Sequence, residues 1–263
     1  MRIAVAYKWA GDPQEANVGP DGVVDMSRAK PVVSDYDAVA IAVGRQLADS
    51  NGAELIGLSV GDPAAAASMA TKTALARGLD RVVVVTGAGL TSAGATRTAS
   101  VLAEAVRRIG GVDLILTGDS SIDAGAKLVP AMLGGILGWP TLTDADKVSI
   151  SQETVTLTRV VGDQEEQLAA GLPAVLAVST DAAAVKAPGM KDVLAAGKKP
   201  VEVIAVTDLA DAHAGEGAVR SARPLDPPAR RRVRIDATDP AEAARTLLES
   251  LRADGVLALR KGE

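Results

Sequence analysis

The chain has 263 residues and 48% hydrophobic content, enough to bury the core of one large α/β domain or two small ones. It has no cysteine, which excludes disulfides, thiolate metal sites and thiol nucleophiles, and a single histidine, His213, which leaves little for a zinc site or a Ser-His-Asp relay. The formal charge of -5 argues against nucleic acid as the main partner, and 2% aromatic content without phenylalanine points to a core of Val, Leu, Ile and Ala, the filling of a helix-covered parallel sheet.

Along the chain, MRIAVAYKWAGDP gives a first strand, Arg2–Tyr7; its apolar run of about six residues is too short for a signal peptide and has no small-residue cleavage site behind it. Helices are then predicted over Tyr36–Ser50, Pro63–Arg77, Ser92–Ile109 and Gly125–Leu137, and strands over Glu54–Val60, Arg81–Val85, Val112–Thr117 and Ala174–Ser179. Asp62 before Pro63 and Asp239 before Pro240 read as N-caps, the second opening a last helix, Pro240–Ala253. Strands alternating with helices of this length predict a doubly wound, mostly parallel sheet. Two regions break the alternation. Residues 146–172 show period-two patterning around a Gly-Asp turn, predicting an antiparallel hairpin added to the sheet. After Thr180 a long connection around a short helix leads into a Gly/Ala/Pro-rich tract from Asp208 to Pro228, a candidate arm or docking loop. The expected organisation is therefore an α/β nucleotide-binding domain over 1–180 and a recognition loop with a C-terminal arm over 181–263. No apolar stretch approaches the roughly 20 residues that span a bilayer, and a cytoplasmic protein is the default expectation.

In an open α/β sheet, ligands bind outside the carboxyl ends of the strands, where helix N-termini aim unpaired N–H groups. Three segments meet that description: Tyr7–Lys8, Val60 to Pro63, and the loop from Gly118 to Lys127. In the last, Gly118 lets backbone approach a ligand, Ser120 and Ser121 offer hydroxyls, and Asp123 either caps a helix or accepts hydrogen bonds from a ribose. Neither G-x-G-x-x-G nor a P-loop is present. The ARRRVR run at 229–234 reads as a charged edge strand or a phosphate patch, and His213 as a loop residue. Lys198 and Lys199 are either solvated charges or contacts to an acidic partner; Met190 is either folded onto the core or offered to a partner. Trp9 and Trp139 read as packing residues. No metal cluster, paired carboxylates or nucleophile-base pair emerges, so the chain reads as a binding or docking module.

Seven segments, in order, resemble the beta subunit of electron transfer flavoprotein. IAVAYK is similar to that family's V-x-V-A-V-K, TALARGLDRVVVV to T-A-L-A-x-G-A-D-R, LILTGDSSIDAG to L-x-G-x-Q-x-x-D-x-D, and LGWPTLT to L-G-x-P-Q. GLPAVLAVST resembles L-P-A-V-x-x-x, GMKDVLAAGKKPVEV the L-P-N-I-M-x-A-x-K-K-P recognition loop, and LDPPARRRVRI the D-P-P-x-R that precedes the last segment. The resemblance implies a Rossmann-like, adenine-nucleotide α-hydrolase-like scaffold in a heterodimer, with a structural AMP in this subunit and FAD held mainly by the alpha subunit. It implies an electron carrier without catalysis of its own. Electrons come from acyl-CoA or related flavin dehydrogenases, as in fatty acid oxidation, and pass to a quinone reductase or other acceptor. The AMP positions it implies are Ala6 through its backbone, Ser34 where the family has Asn, Val60 and Asp123; Met190 matches the leucine anchor of the recognition loop, with Lys191, Lys198 and Lys199 beside it. The chain departs from the family at Lys127-Leu128-Val129, where an N/A-Q-T/V run surrounds the phosphate: either Lys127 supplies charge in place of the lost donors, or the pocket is remodelled, takes a second FAD, or is empty. The SVGDPAAAAS segment is also about two residues longer than the family's, near the adenine. The alternative reading is a stand-alone adenine-nucleotide-binding regulator of the universal-stress-protein type, which leaves the chain beyond Thr180 unexplained; a nucleotide-hydrolysing enzyme ranks last.

Overall fold

The computed structural model describes residues 1–90, 93–209, 229–236 and 238–257. The first apolar run forms β1 (Arg2–Ala6), followed by short antiparallel pairs: β2 (Trp9–Gly11) with β5 (Pro31–Val33), and β3 (Asn17–Val18) with β4 (Val24–Asp25). Next come α1 (Asp35–Asn51), β6 (Glu54–Gly61), α2 (Ser68–Leu75), β7 (Arg81–Thr86), α3 (Ala95–Ile109), β8 (Leu114–Gly118) and α4 (Val129–Leu137). After them run β9 (Thr141–Ala145), β10 (Lys147–Ser151), β11 (Thr154–Val161), β12 (Gln164–Gly171), β13 (Ala174–Val178), α5 (Met190–Ala196), β14 (Val201–Ala205) and α6 (Pro240–Ala253).

The seven-stranded sheet has the order β14-β7-β6-β1-β8-β13-β9 and every neighbouring pair is parallel. The strands predicted from continuous apolar runs form its middle, where β8 and β13 are buried at every residue. Ile3, Leu55, Leu114 and Leu116 pack with α1 and α2 on one face. On the other, Ala4, Ile56, Val83 and Ile115 pack with α3 and α4. The result is the doubly wound α/β fold expected, with each fully buried Leu or Ile contributing about 1.5–3 kcal/mol.

Several elements differ from expectation. The predicted hairpin is a three-stranded antiparallel sheet of its own, β10-β11-β12, and is not part of the parallel sheet. The Gly162-Asp163 turn joins β11 to β12 as predicted, but Gln152 adopts φ 54 and opens a second tight turn between β10 and β11. Val155 and Leu157 project from this sheet into the α1 side of the core. The predicted helix over 63–77 is broken: Asp62 caps a single 3-10 turn, Pro63–Ala66, and Ala67 is extended before α2 begins. Within the long connection after Thr180, Val201–Ala205 pairs in parallel with β7 and extends the sheet as an edge strand.

The chain divides into two compact units, Met1–Ala222 and Arg223–Glu263. In the second, residues 229–236 form no strand, and α6 has the predicted bounds, capped by the Asp239 carboxylate accepting from Ala241 N at 3.0 Å. Arg231 pairs with Asp254 just past the helix. None of the residues of α6 is buried, and Leu247 and Leu248 are exposed. His213 lies outside the described residues. Among the described residues, no helix is long and apolar enough to cross a membrane.

Candidate functional site

From β1 the chain winds to β6 and β7 on one side, then returns to β8 and β13 on the other, so the carboxyl ends of β1 and β8 meet where the winding reverses. That is the position at which open α/β sheets hold ligands. Asp37, in the first turn of α1, bridges the two ends. Its Oδ2 accepts from Lys8 N at 2.7 Å and its Oδ1 from Gly118 N at 3.2 Å. Burial pushes its pKa up to about 7, against the lowering influence of those two N–H groups and the Lys8 charge.

Above this bridge opens a cleft of ≈ 380 Å³ between the start of α3 and the loop from β8 to α4. Val60, Leu90, Ala93 and Leu102 give it apolar walls; Thr98, Ser120 and Ser121 add hydroxyls. Two ion pairs involve its wall. Lys8 Nζ lies 2.6 Å from Asp123 Oδ2, and Lys127 Nζ lies 2.7 Å from Asp119 Oδ2. Burial works to raise the Asp123 pKa, but Lys8, Ser121 and the Ala124 N–H together hold it below the ordinary carboxylate value. Asp119, as hydrogen-bond partner and neighbouring charge, pushes the Lys127 ammonium pKa up.

Of the residues singled out from sequence, Ala6, Val60, Gly118, Ser120, Ser121 and Lys127 line this one cleft. Asp123 stands beside it, tied to Lys8 and accepting from Ala124 N at 2.7 Å, and does not cap α4. Ser34 is fully buried beneath Lys8, donating its N–H to Lys8 O, and its hydroxyl has no partner among the described residues. The space a Cβ would take at Gly118 is filled by Tyr36 and Asp37, so this glycine is demanded by the close seating of α1. Lys127 does not start a helix: it has φ 54, and α4 begins two residues later with Pro130 in its first turn.

The partner-contact candidates lie elsewhere, on and after α5. Ala196 anchors this helix in the core, while Met190 is 81% and Leu194 70% exposed, so Met190 is not folded onto the core. Lys191 and Lys198 are exposed, but Lys199 Nζ donates to Leu79 O at 2.6 Å and is held against the end of α2. Trp9 and Trp139 pack against the two cores and do not line the cleft.

Sequence reasoning missed Asp37, Asp119, Leu90 and the start of α3. Acidic residues in a first turn read as ordinary complements of the helix dipole, so Asp37 carried no signal of its bridging position. The cleft suits an adenosine moiety: apolar walls fit a purine, and hydroxyls with carboxylates fit a ribose. Among known families, the model of the electron transfer flavoprotein domain matches residues 21–209, well over half of the chain and the whole course from α1 to β14. The topology, the cleft at its switch point and this match agree, and the chain belongs to the electron transfer flavoprotein family.

Proposed function

We propose that this chain is the beta-type subunit of a heterodimeric electron transfer flavoprotein, a cytoplasmic electron carrier and not a catalyst in its own right. It holds an adenine nucleotide, AMP by resemblance, in the cleft above Asp37, and helps an alpha subunit cradle FAD. The observation that carries the reading is that the family match spans both the cleft loop and the exposed α5. Bound FAD supplies the electron-carrying chemistry. This chain's own part is binding and orientation: Val60, Leu90 and Leu102 sandwich the adenine away from water, and the Asp123 side of the cleft meets the ribose. Electrons enter from an acyl-CoA or related flavin dehydrogenase.

Co-expression with an alpha subunit from the same source, followed by size exclusion, absorbance scanning and mass spectrometry of the denatured complex, tests the reading. A yellow one-to-one complex releasing both FAD and a second adenine nucleotide is expected. A colourless chain that stays alone with every such mate rejects it.

Docking on the dehydrogenase is assigned to α5. An exposed, flexible thioether flanked by lysines suits a partner with an apolar socket and an acidic rim. Met190→Ala is expected to lower the second-order rate of flavin reduction by the dehydrogenase about tenfold, the effect of losing one modest anchor. Stopped-flow reduction measures it, and an unchanged rate in an intact heterodimer removes α5 as the anchor.

A further inference from the structure

Among the described residues, the cleft has two lysines in its wall, and both are already matched. Lys8 meets Asp123 at 2.6 Å and Lys127 meets Asp119 at 2.7 Å. Asp37, the remaining charged residue of the wall, is committed to two main-chain N–H groups. The loop that bears Lys127 continues into Leu128 and Val129, which bring no side-chain donor.

The two partners in the Lys127 pair are unequally placed. The Lys127 side chain is 58% exposed, whereas that of Asp119 is 13% exposed and its Oδ1 is buried without a hydrogen-bond partner among the described residues. A phosphate monoester carries between one and two negative charges near neutrality and seeks an ammonium or a set of N–H donors. A phosphate can meet the remaining donors of Lys127, but the ammonium charge is already neutralised by Asp119. Binding there sets a second anion beside that carboxylate, and displacing Asp119 leaves it largely buried and unpaired, so like-charge repulsion or desolvation cancels much of the gain. A neutral nucleoside pays neither cost.

We infer that Asp119 is an internal anion that occupies Lys127 in place of a ligand phosphate, so that the cleft recognises the adenosine portion of its ligand and gains little from a terminal phosphate. This rests on the reading of the cleft as an adenine-nucleotide site. Asp119 is then a specificity-determining residue. AMP is held through base and ribose, and the Asp119–Lys127 pair sets how much its phosphate contributes.

The test is isothermal titration of the nucleotide-stripped heterodimer with adenosine and with AMP at fixed ionic strength, read as the ratio of the two affinities. In the natural protein the ratio is expected to lie within about threefold of unity. Asp119→Asn frees the Lys127 ammonium and is expected to shift the ratio about tenfold toward AMP, a gain that shrinks as salt rises. Lys127→Gln leaves the Asp119 charge without its counter-ion and is expected to shift the ratio the opposite way. Adenosine binding with a ratio that neither variant moves overturns the inference and leaves the nucleotide site standing. A natural protein that already prefers AMP tenfold or more also overturns it. Failure of adenosine and AMP alike to bind any of the three proteins overturns the nucleotide reading and the inference together.

Discussion

Gly118→Val is expected to be among the most destabilising single substitutions in the chain. A Cβ at this position would stand 2.6 Å from Tyr36 Cβ, 2.7 Å from the Tyr36 carbonyl carbon and 2.9 Å from Asp37 Oδ1. Those atoms belong to the first turn of α1, which is packed against β8, so they have no flexible end to swing aside. Overpacking of this kind costs about 1–3 kcal/mol, and a strained or lost Gly118 N–H to Asp37 bond adds about 1–3 kcal/mol because it leaves a buried polar group unsatisfied. Against a typical stability of about 5–15 kcal/mol, a loss of roughly 3 kcal/mol or more is expected. Urea denaturation measures it as a lowered midpoint at constant m-value. Gly135→Ala is the control. Nothing lies within 4 Å of its missing Cβ, and alanine is the better helix former by about 1 kcal/mol, so this variant gains stability. Its neighbour Gly134 is the opposite case, since a Cβ there would collide with the Thr141 hydroxyl.

The second large effect is a pH dependence centred on Asp37. Burial raises its folded pKa to about 7, from an ordinary value of 3.8. The native state therefore binds a proton that the unfolded chain has already released between those limits. Its contribution is fully present below about pH 4 and is lost as pH rises through about 7. Within this window the stability difference between the natural protein and Asp37→Asn should fall with rising pH, by at most about 1.4 kcal/mol per pH unit. Asparagine also turns an N–H group toward one of the two main-chain donors, so the variant starts from a lower stability at the acid end of the window, where no buried charge offsets that loss. Paired denaturation curves at pH 5, 6, 7 and 8 check the slope, and taking the difference cancels every titrating group the two proteins share. Parallel curves across that range would falsify the account of Asp37 as a proton-holding bridge.

The reach of the sequence follows from how local each signal is. Val83 and Ile115 sit in runs that stay apolar because both sheet faces are covered, so their strands are readable without knowing their neighbours. Val201–Ala205 is an edge strand in which only Ile204 is buried, and its VEVIA pattern after two lysines and a proline gives no continuous run. The cleft loop was legible from Gly118 and two serines placed after a buried strand. The late start of α4 also had a signal, Pro130, which favours a first turn and was outweighed by the apolar pattern. The ion pairs were not legible. Lys8 and Asp123 are far apart in sequence, and Asp119 and Lys127 meet across a loop whose course includes positive φ at Gly125 and Lys127, which side-chain pattern does not announce.

The exposed end of α5 has a chemical consequence. In a chain without cysteine, peroxide finds no thiolate to consume it first, and the thioethers become the targets. Met190 and Met69 stand far more open to solvent than the sulfur of Met132, which accepts from the Thr96 hydroxyl beside α4. Conversion of Met190 to the sulfoxide would place a polar, chiral group where an apolar tip now stands, leaving the sheet untouched while blunting the surface proposed for docking, and methionine sulfoxide reductase would restore it.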